Sequence, residues 1–112
     1  MVSHPKRDEV WLVALDPSRG AEIKKTRPCL VVSADDMNEA LETVLAAPMT
    51  TTQRNYPTRV NLVFRNKTGQ VALDQLRTVA RERLIRRLGV VSPKTAYTVS
   101  NVLVEMFTRP RT

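Results

Sequence analysis

The feature that most limits what this chain can fold into is the shortness of its apolar segments. Between residues 10 and 79 they come as six runs of three to six residues, each closed by turn residues or a proline. Runs that short suit strands and cannot supply the apolar stripe of a long helix. Val10-Trp11-Leu12-Val13-Ala14-Leu15 is the first and stops at Asp16-Pro17-Ser18-Arg19-Gly20, which is turn chemistry. Arg27-Pro28 opens the second, Cys29-Leu30-Val31-Val32-Ser33, with the proline fitting a strand start or an edge. Asp35-Asp36-Met37-Asn38-Glu39 reads as a loop or a single helical turn, and Thr43-Val44-Leu45-Ala46-Ala47 as a third strand ended by Pro48. Val60, Leu62 and Phe64 alternate with Arg59, Asn61 and Arg65, the pattern of a half-buried strand. Asn66-Lys67-Thr68-Gly69 reads as a hairpin turn. Val71 to Leu73 and Leu76 to Val79 are two further short strands broken at Asp74-Gln75, and Arg81-Glu82-Arg83-Leu84 reads as one helical turn.

Helical periodicity appears only at the end. Ser92 suits an N-cap and Pro93 the first helical position. Ala96, Val99, Val102, Leu103 and Met106 then recur on one face, which predicts a helix from Pro93 to about Phe107. Several short strands followed by one helix, without repeats or a linker, predict a single mainly β domain over residues 1–112. A small barrel is the expected closure, because it hides strand edges.

At 112 residues, 42% of them hydrophobic, the chain can bury a core without staples. One cysteine, Cys29, excludes an internal disulfide and fits a reducing compartment. The first apolar run is too short for a signal peptide, and no stretch approaches the roughly 20 apolar residues of a membrane helix. A cytoplasmic protein with no membrane contact is expected. Lys and Arg number 18 against 11 Asp and Glu, a net charge of +7 that draws polyanions without choosing among them. One histidine, one cysteine and scattered carboxylates make no cluster with metal-ligand spacing, so no metal or other cofactor is expected.

Two polar loops follow strands in the first half. One carries Arg19, Glu22, Lys24, Lys25 and Arg27, the other Thr50, Thr51, Thr52, Gln53, Arg54 and Tyr56. Opening on one side of a barrel, they form either a basic groove lined with hydroxyls, able to hold phosphates, or a solvated basic rim. Trp11 reads as core. Tyr56 either stacks on a base or packs on Pro57. Cys29 reads as a small buried hydrophobe, and Arg81, Arg83, Arg86 and Arg87 as an exposed basic face.

Four stretches resemble one family. The opening from Glu9 to Glu22, with Trp11, Asp16, Pro17 and Gly20, resembles the first strand and turn of the MazF/PemK toxins. Thr26-Arg27-Pro28-Cys29-Leu30-Val31-Val32-Ser33 is similar to their "R-P-x-L-V-V-S" strand. Ala46-Ala47-Pro48-Met49-Thr50 looks like the strand end that carries the family threonine, and Asp74-Gln75-Leu76-Arg77-Thr78-Val79 is similar to their "D-Q-x-R-T" segment. The matches come in family order and spacing.

The resemblance implies an SH3-like β-barrel and cleavage of single-stranded mRNA. It also implies a homodimer and an antitoxin whose acidic segment covers the RNA groove. It places the essential arginine on Arg27, the essential threonine on Thr50, a supporting carboxylate on Glu22 and a further acidic position on Asp74. Ala72 and Thr26 stand where some relatives carry arginine and histidine. The catalytic set is therefore Arg27, Thr50 and Glu22. Arg19, Lys24, Lys25, Thr51, Gln53, Arg54, Tyr56 and Asp74 are expected to bind RNA. Glu22 serves as a general base or pairs with Lys24 or Lys25, and Asp74 touches RNA or caps a turn. A gyrase-directed toxin of the same architecture and a non-catalytic RNA-binding module are the alternatives. The tail Thr108-Arg109-Pro110-Arg111-Thr112 lacks the aromatic residues the gyrase reading needs.

Overall fold

A computed structural model describes residues 4–17 and 19–111; Ser18 of the predicted turn and Thr112 of the tail lie outside the described residues. Seven strands form one curled sheet, in the order β4-β5-β3-β2-β1-β7 with β6 added on β3. The strands are β1 Glu9–Ala14, β2 Thr26–Val31, β3 Thr43–Thr50, β4 Arg59–Phe64, β5 Lys67–Ala72, β6 Arg77–Ala80 and β7 Leu84–Val90. A short helix α1, Asp35–Ala40, separates β2 from β3, and α2, Pro93–Phe107, closes the chain. This is the expected mainly β, SH3-like fold with a C-terminal helix, its sheet curled into a half-barrel.

Alternation along the strands sorts the core into two layers. Val10, Leu30, Ala47, Val60, Leu62, Val71 and Leu73 point to one face, where Val99 and the partly buried Ala96, Val102, Leu103 and Met106 of α2 cover them. Val13, Leu15, Cys29, Val31, Val44, Ala46 and Val79 point to the other, with Trp11 packed against them. The predicted helix has the predicted bounds, and Ser92 Oγ accepts from the Thr95 N–H as its cap.

Two expectations about strand ends need correction. Pro48 does not end the third strand. β3 pairs with β6 over Thr43–Ala46 and with β5 over Met49 and Thr50, so Pro48 falls between two partners and its missing N–H breaks neither ladder. The hairpin turn is Arg65-Asn66, both with positive φ and flanked by the Phe64–Lys67 pair. That is the two-residue turn that matches strand twist, and Lys67, Thr68 and Gly69 already belong to β5. A further strand, β7, carries no apolar run that marks it in the sequence. It lies along β1 with two irregularities in register, and Arg86 and Arg87 at its centre hide the alternation.

The arginines beside β7 do not form one exposed face. Arg81 donates to the Asn38 carbonyl, and Arg83 to the Ala14 carbonyl at 3.2 Å and to that of Asp16. Arg87 pairs with Glu9 at 2.7 Å.

Candidate active site

β2 begins at Thr26 and Arg27, and β3 ends at Met49 and Thr50. The two strands are antiparallel with Cys29 opposite Pro48, so the start of one and the end of the other share an edge of the sheet. The Arg27 Nε–H donates to the Lys24 carbonyl at 2.9 Å, which orients the guanidinium; its terminal nitrogens bond no other described residue. Thr50 Oγ1 accepts from the Thr52 N–H at 3.1 Å and keeps its own O–H to donate. Gly69 sits across from this strand end. A Cβ there would lie 2.7 Å from the Thr50 carbonyl oxygen, so only glycine lets β5 come this close.

Two open cavities of about 610 and 650 Å³ flank the pair, and Lys25, Arg27 and Thr50 line both. The first opens beside the core layer that α2 covers, to which Met49, Leu62, Phe64 and Leu88 belong. Its walls are Leu12, Pro28, Met49, Leu62, Phe64 and Leu88, and its basic rim is Arg65, Lys67 and Arg86. The second is polar, with Lys24, Arg54 and Arg59 adding positive charge against the carboxylates of Glu22 and Asp74.

Neither carboxylate is idle. Glu22 Oε1 accepts the Arg19 N–H at 2.6 Å, which ties the loop to itself. Of the two alternatives for Glu22, the pairing with Lys24 or Lys25 is replaced by this bond. Asp74 accepts Arg59 Nε at 2.7 Å and Nη2 at 3.2 Å, a two-pronged pair, and Thr58 Oγ1 at 3.0 Å. Burial works to raise the Asp74 pKa, but the bonds from Arg59 and Thr58, its own backbone N–H and the arginine charge outweigh it and hold the carboxyl below its usual range. The Arg59 guanidinium also lies 5.2 Å from the centre of the Tyr56 ring, so Tyr56 stacks on Arg59 while staying half exposed.

Of the predicted residues, Arg27, Thr50, Glu22, Lys24, Lys25, Arg54, Tyr56 and Asp74 gather around the second cavity. Thr51 lines the first, and Arg19 and Gln53 line neither. Cys29 is buried, and burial pushes its thiol up to about 12, so it is no nucleophile. Among the described residues no group of three or more His, Cys, Asp or Glu side chains gathers as a metal site. Among the described residues no helix is long and apolar enough to cross a membrane. Sequence reasoning missed Arg59, Gln70 and Gln75. Gln75, in the quoted "D-Q-x-R-T" match, accepts the Ile23 N–H at 3.2 Å and ties the first loop to the cavity.

A family model described as a PemK-like, MazF-like toxin of type II toxin-antitoxin system matches residues 6–107. The chain belongs to this family. Among MazF relatives, the endoribonuclease MazF9 of Mycobacterium tuberculosis is 36% identical over a match covering 78% of this chain and 82% of that protein. The endoribonuclease toxin MazF of Escherichia coli K12 is 33% identical, covering 78% of each. MazF from Deinococcus radiodurans has the same fold, with a TM-score of 0.82 over 94% of this chain and 97% of that one at 24% identity. A mycobacterial endoribonuclease solved with its cognate antitoxin superposes with a TM-score of 0.79 at 28% identity, covering 95% of this chain and 99% of that one. The MazF match runs from β1 to the last turn of α2, so the cavities lie wholly within the shared region.

Proposed function

We propose that this MazF-family toxin is an endoribonuclease that cuts single-stranded mRNA in the cytoplasm by attack of the substrate's own 2′-OH. The observation that carries the reading is the shared boundary of the two cavities. Arg27 and Thr50 line both, so an RNA strand crossing from one cavity to the other brings a phosphodiester to this pair.

The chemistry suits these side chains. The 2′-oxygen attacks phosphorus, the bond to O5′ breaks, and a 2′,3′-cyclic phosphate and a 5′-OH remain. The nucleophile is already beside the phosphorus, so positioning does much of the work. Arg27 stabilises the negative charge that builds on the phosphorane oxygens; its high pKa makes it a poor acid. Thr50 donates to a phosphate oxygen. Glu22 takes the 2′-OH proton through Oε2, since Oε1 holds the Arg19 N–H. Lys24, Lys25 and Arg54 hold flanking phosphates, Tyr56 stacks a base, and Arg19, Thr51 and Gln53 contribute at the margins. Asp74 holds Arg59 and Thr58 mainly through Oδ1, and its Oδ2, with one bond, accepts from the RNA. The toxin works as a homodimer, and an acidic antitoxin segment occupies the same basic groove in competition with RNA.

Incubation with a long RNA and mapping of the fragment ends tests the reading. Cleavage that persists in EDTA, stops when the 2′-OH at the cut site is replaced by hydrogen, and leaves cyclic phosphate ends is the expected result. Fragments with 5′-phosphate and 3′-OH ends, or binding without cutting, would overturn it.

A further inference from the structure

Residues 51–57 are exposed, yet the loop must deliver Arg54 and Tyr56 to the second cavity. It has little packing to hold it; Thr50 Oγ1 ties its start at Thr52, Arg59 backs Tyr56, and a buried side chain ties its middle at Arg54. Gln70 of β5 is 4% exposed. Its Oε1 accepts the Arg54 N–H at 3.0 Å, and its Nε2 donates to the Arg54 carbonyl at 3.0 Å and to Asn61 Oδ1 at 2.8 Å. The side-chain amide therefore pairs with both backbone groups of Arg54, as a neighbouring strand residue would. Two antiparallel bonds to one residue fix its direction as well as its place, and burial sharpens the demand, since an unpaired amide there is costly. Gln70 also lies opposite Thr50 in the β3–β5 ladder. One residue thus registers Thr50 through its backbone and Arg54 through its side chain.

We infer that Gln70 is a positioning residue for RNA binding, holding Arg54 in fixed relation to Thr50 so that both engage one strand. The inference rests on the endoribonuclease reading. Arg54 acts on phosphate through its side chain, whereas Gln70 holds it by its backbone, so the two roles can be separated by mutation.

The test compares wild type, Gln70→Met, Arg54→Ala and the double variant. Each is assayed for cleavage of an RNA oligonucleotide carrying the mapped cut site, and for binding of a single-stranded RNA across a salt series. Methionine keeps the volume and removes all three hydrogen bonds. Gln70→Met is expected to raise KM about tenfold with kcat within about twofold, as loss of one hydrogen bond to a charged group does. Losing one phosphate contact should lower the slope of log affinity against log salt by about 0.7. In the Arg54→Ala background the same substitution should change KM by less than about twofold, because what it positions is gone. A merely structural glutamine would lower the melting temperature and leave KM, the salt slope and this coupling untouched; that result, or independent multiplication of the two effects, overturns the inference. Should Gln70→Met not fold, Asn61→Ala at an exposed site removes one of the three bonds and should raise KM in the same direction; an unchanged KM counts against the role. If the wild type binds RNA without cutting it, the endoribonuclease reading fails, and the binding series alone still decides the role of Gln70.

Discussion

At the scale of single residues, Arg27 and Thr50 stand on the boundary that both cavities share, and each keeps donors unused. Arg59 and Asp74 satisfy each other, Glu22 holds its own loop, and Gln75 holds Ile23. The Arg27 terminal nitrogens and the Thr50 hydroxyl proton remain for a ligand. Arg27→Ala and Thr50→Ala should each slow RNA cleavage by about 100- to 1,000-fold, the usual loss for one charge-stabilising donor, with circular dichroism and melting temperature near wild type. Cleavage within a few-fold of wild type in either variant would remove that residue from the chemistry. Asp74 should behave in the opposite way. Its folded pKa lies below the unfolded one, so the stability it adds is complete above the unfolded value near 4 and is lost as pH falls through the depressed folded value. The melting-temperature gap between wild type and Asp74→Asn should therefore be constant from neutral pH down to about 4 and close below it. A gap that opened on acidification would contradict the ion pair.

At the scale of elements, the end of β3 is fixed by how near β5 can come. Gly69→Ala would drive a methyl against the Thr50 carbonyl. It should lower kcat by tenfold or more while the variant still folds, since displacement of a reacting group by about 1 Å can cost about 100-fold. Stopped-end cleavage kinetics beside a thermal melt would separate the two effects. These elements also show how far the sequence could be read. α2 was legible to its ends because its cap, its proline and its apolar period are all local. β1, β2 and β4 were legible because apolar length or alternation marks them. β7 was not, because its register along β1 is irregular and Arg86 and Arg87 occupy its centre. The outline of the site was legible through the quoted motifs, whereas its internal wiring was not. Gln70 and Arg54 are 16 residues apart, and Arg59 and Asp74 are 15 apart. Nothing in a strand glutamine or an alternating arginine announces such a partner.

At the scale of the whole molecule, the helix that seals one core layer turns unsatisfied surface outward. Tyr97, Val104 and Phe107 of α2 are 73%, 67% and 73% exposed, far more than a helix end needs. With Val63, Ile85 and Val90 also exposed, the chain presents the apolar area that a self-complementary interface would use. Light scattering at micromolar concentration should give about twice 12.7 kDa, and Tyr97→Lys with Val104→Lys should shift the mass toward one chain. A wild-type mass of one chain would leave those side chains unexplained and end the dimer reading.

Arg27 and Thr50 on one hand, and the loop between β3 and β4 on the other, hang from the sheet in different ways. Thr50 ends a strand and Arg27 lies near the start of one, where a one-residue insertion slips the register and turns every side chain to the opposite face. The loop of residues 51–58 is instead exposed from 51 to 57 and held by bonds at Thr52, Arg54 and Thr58, so the side chains between those ties are free to change. In the proposed mechanism, a lineage carrying this fold alters which nucleotides it favours by rewriting a few exposed loop positions, while the place where the strand is severed stays where it was.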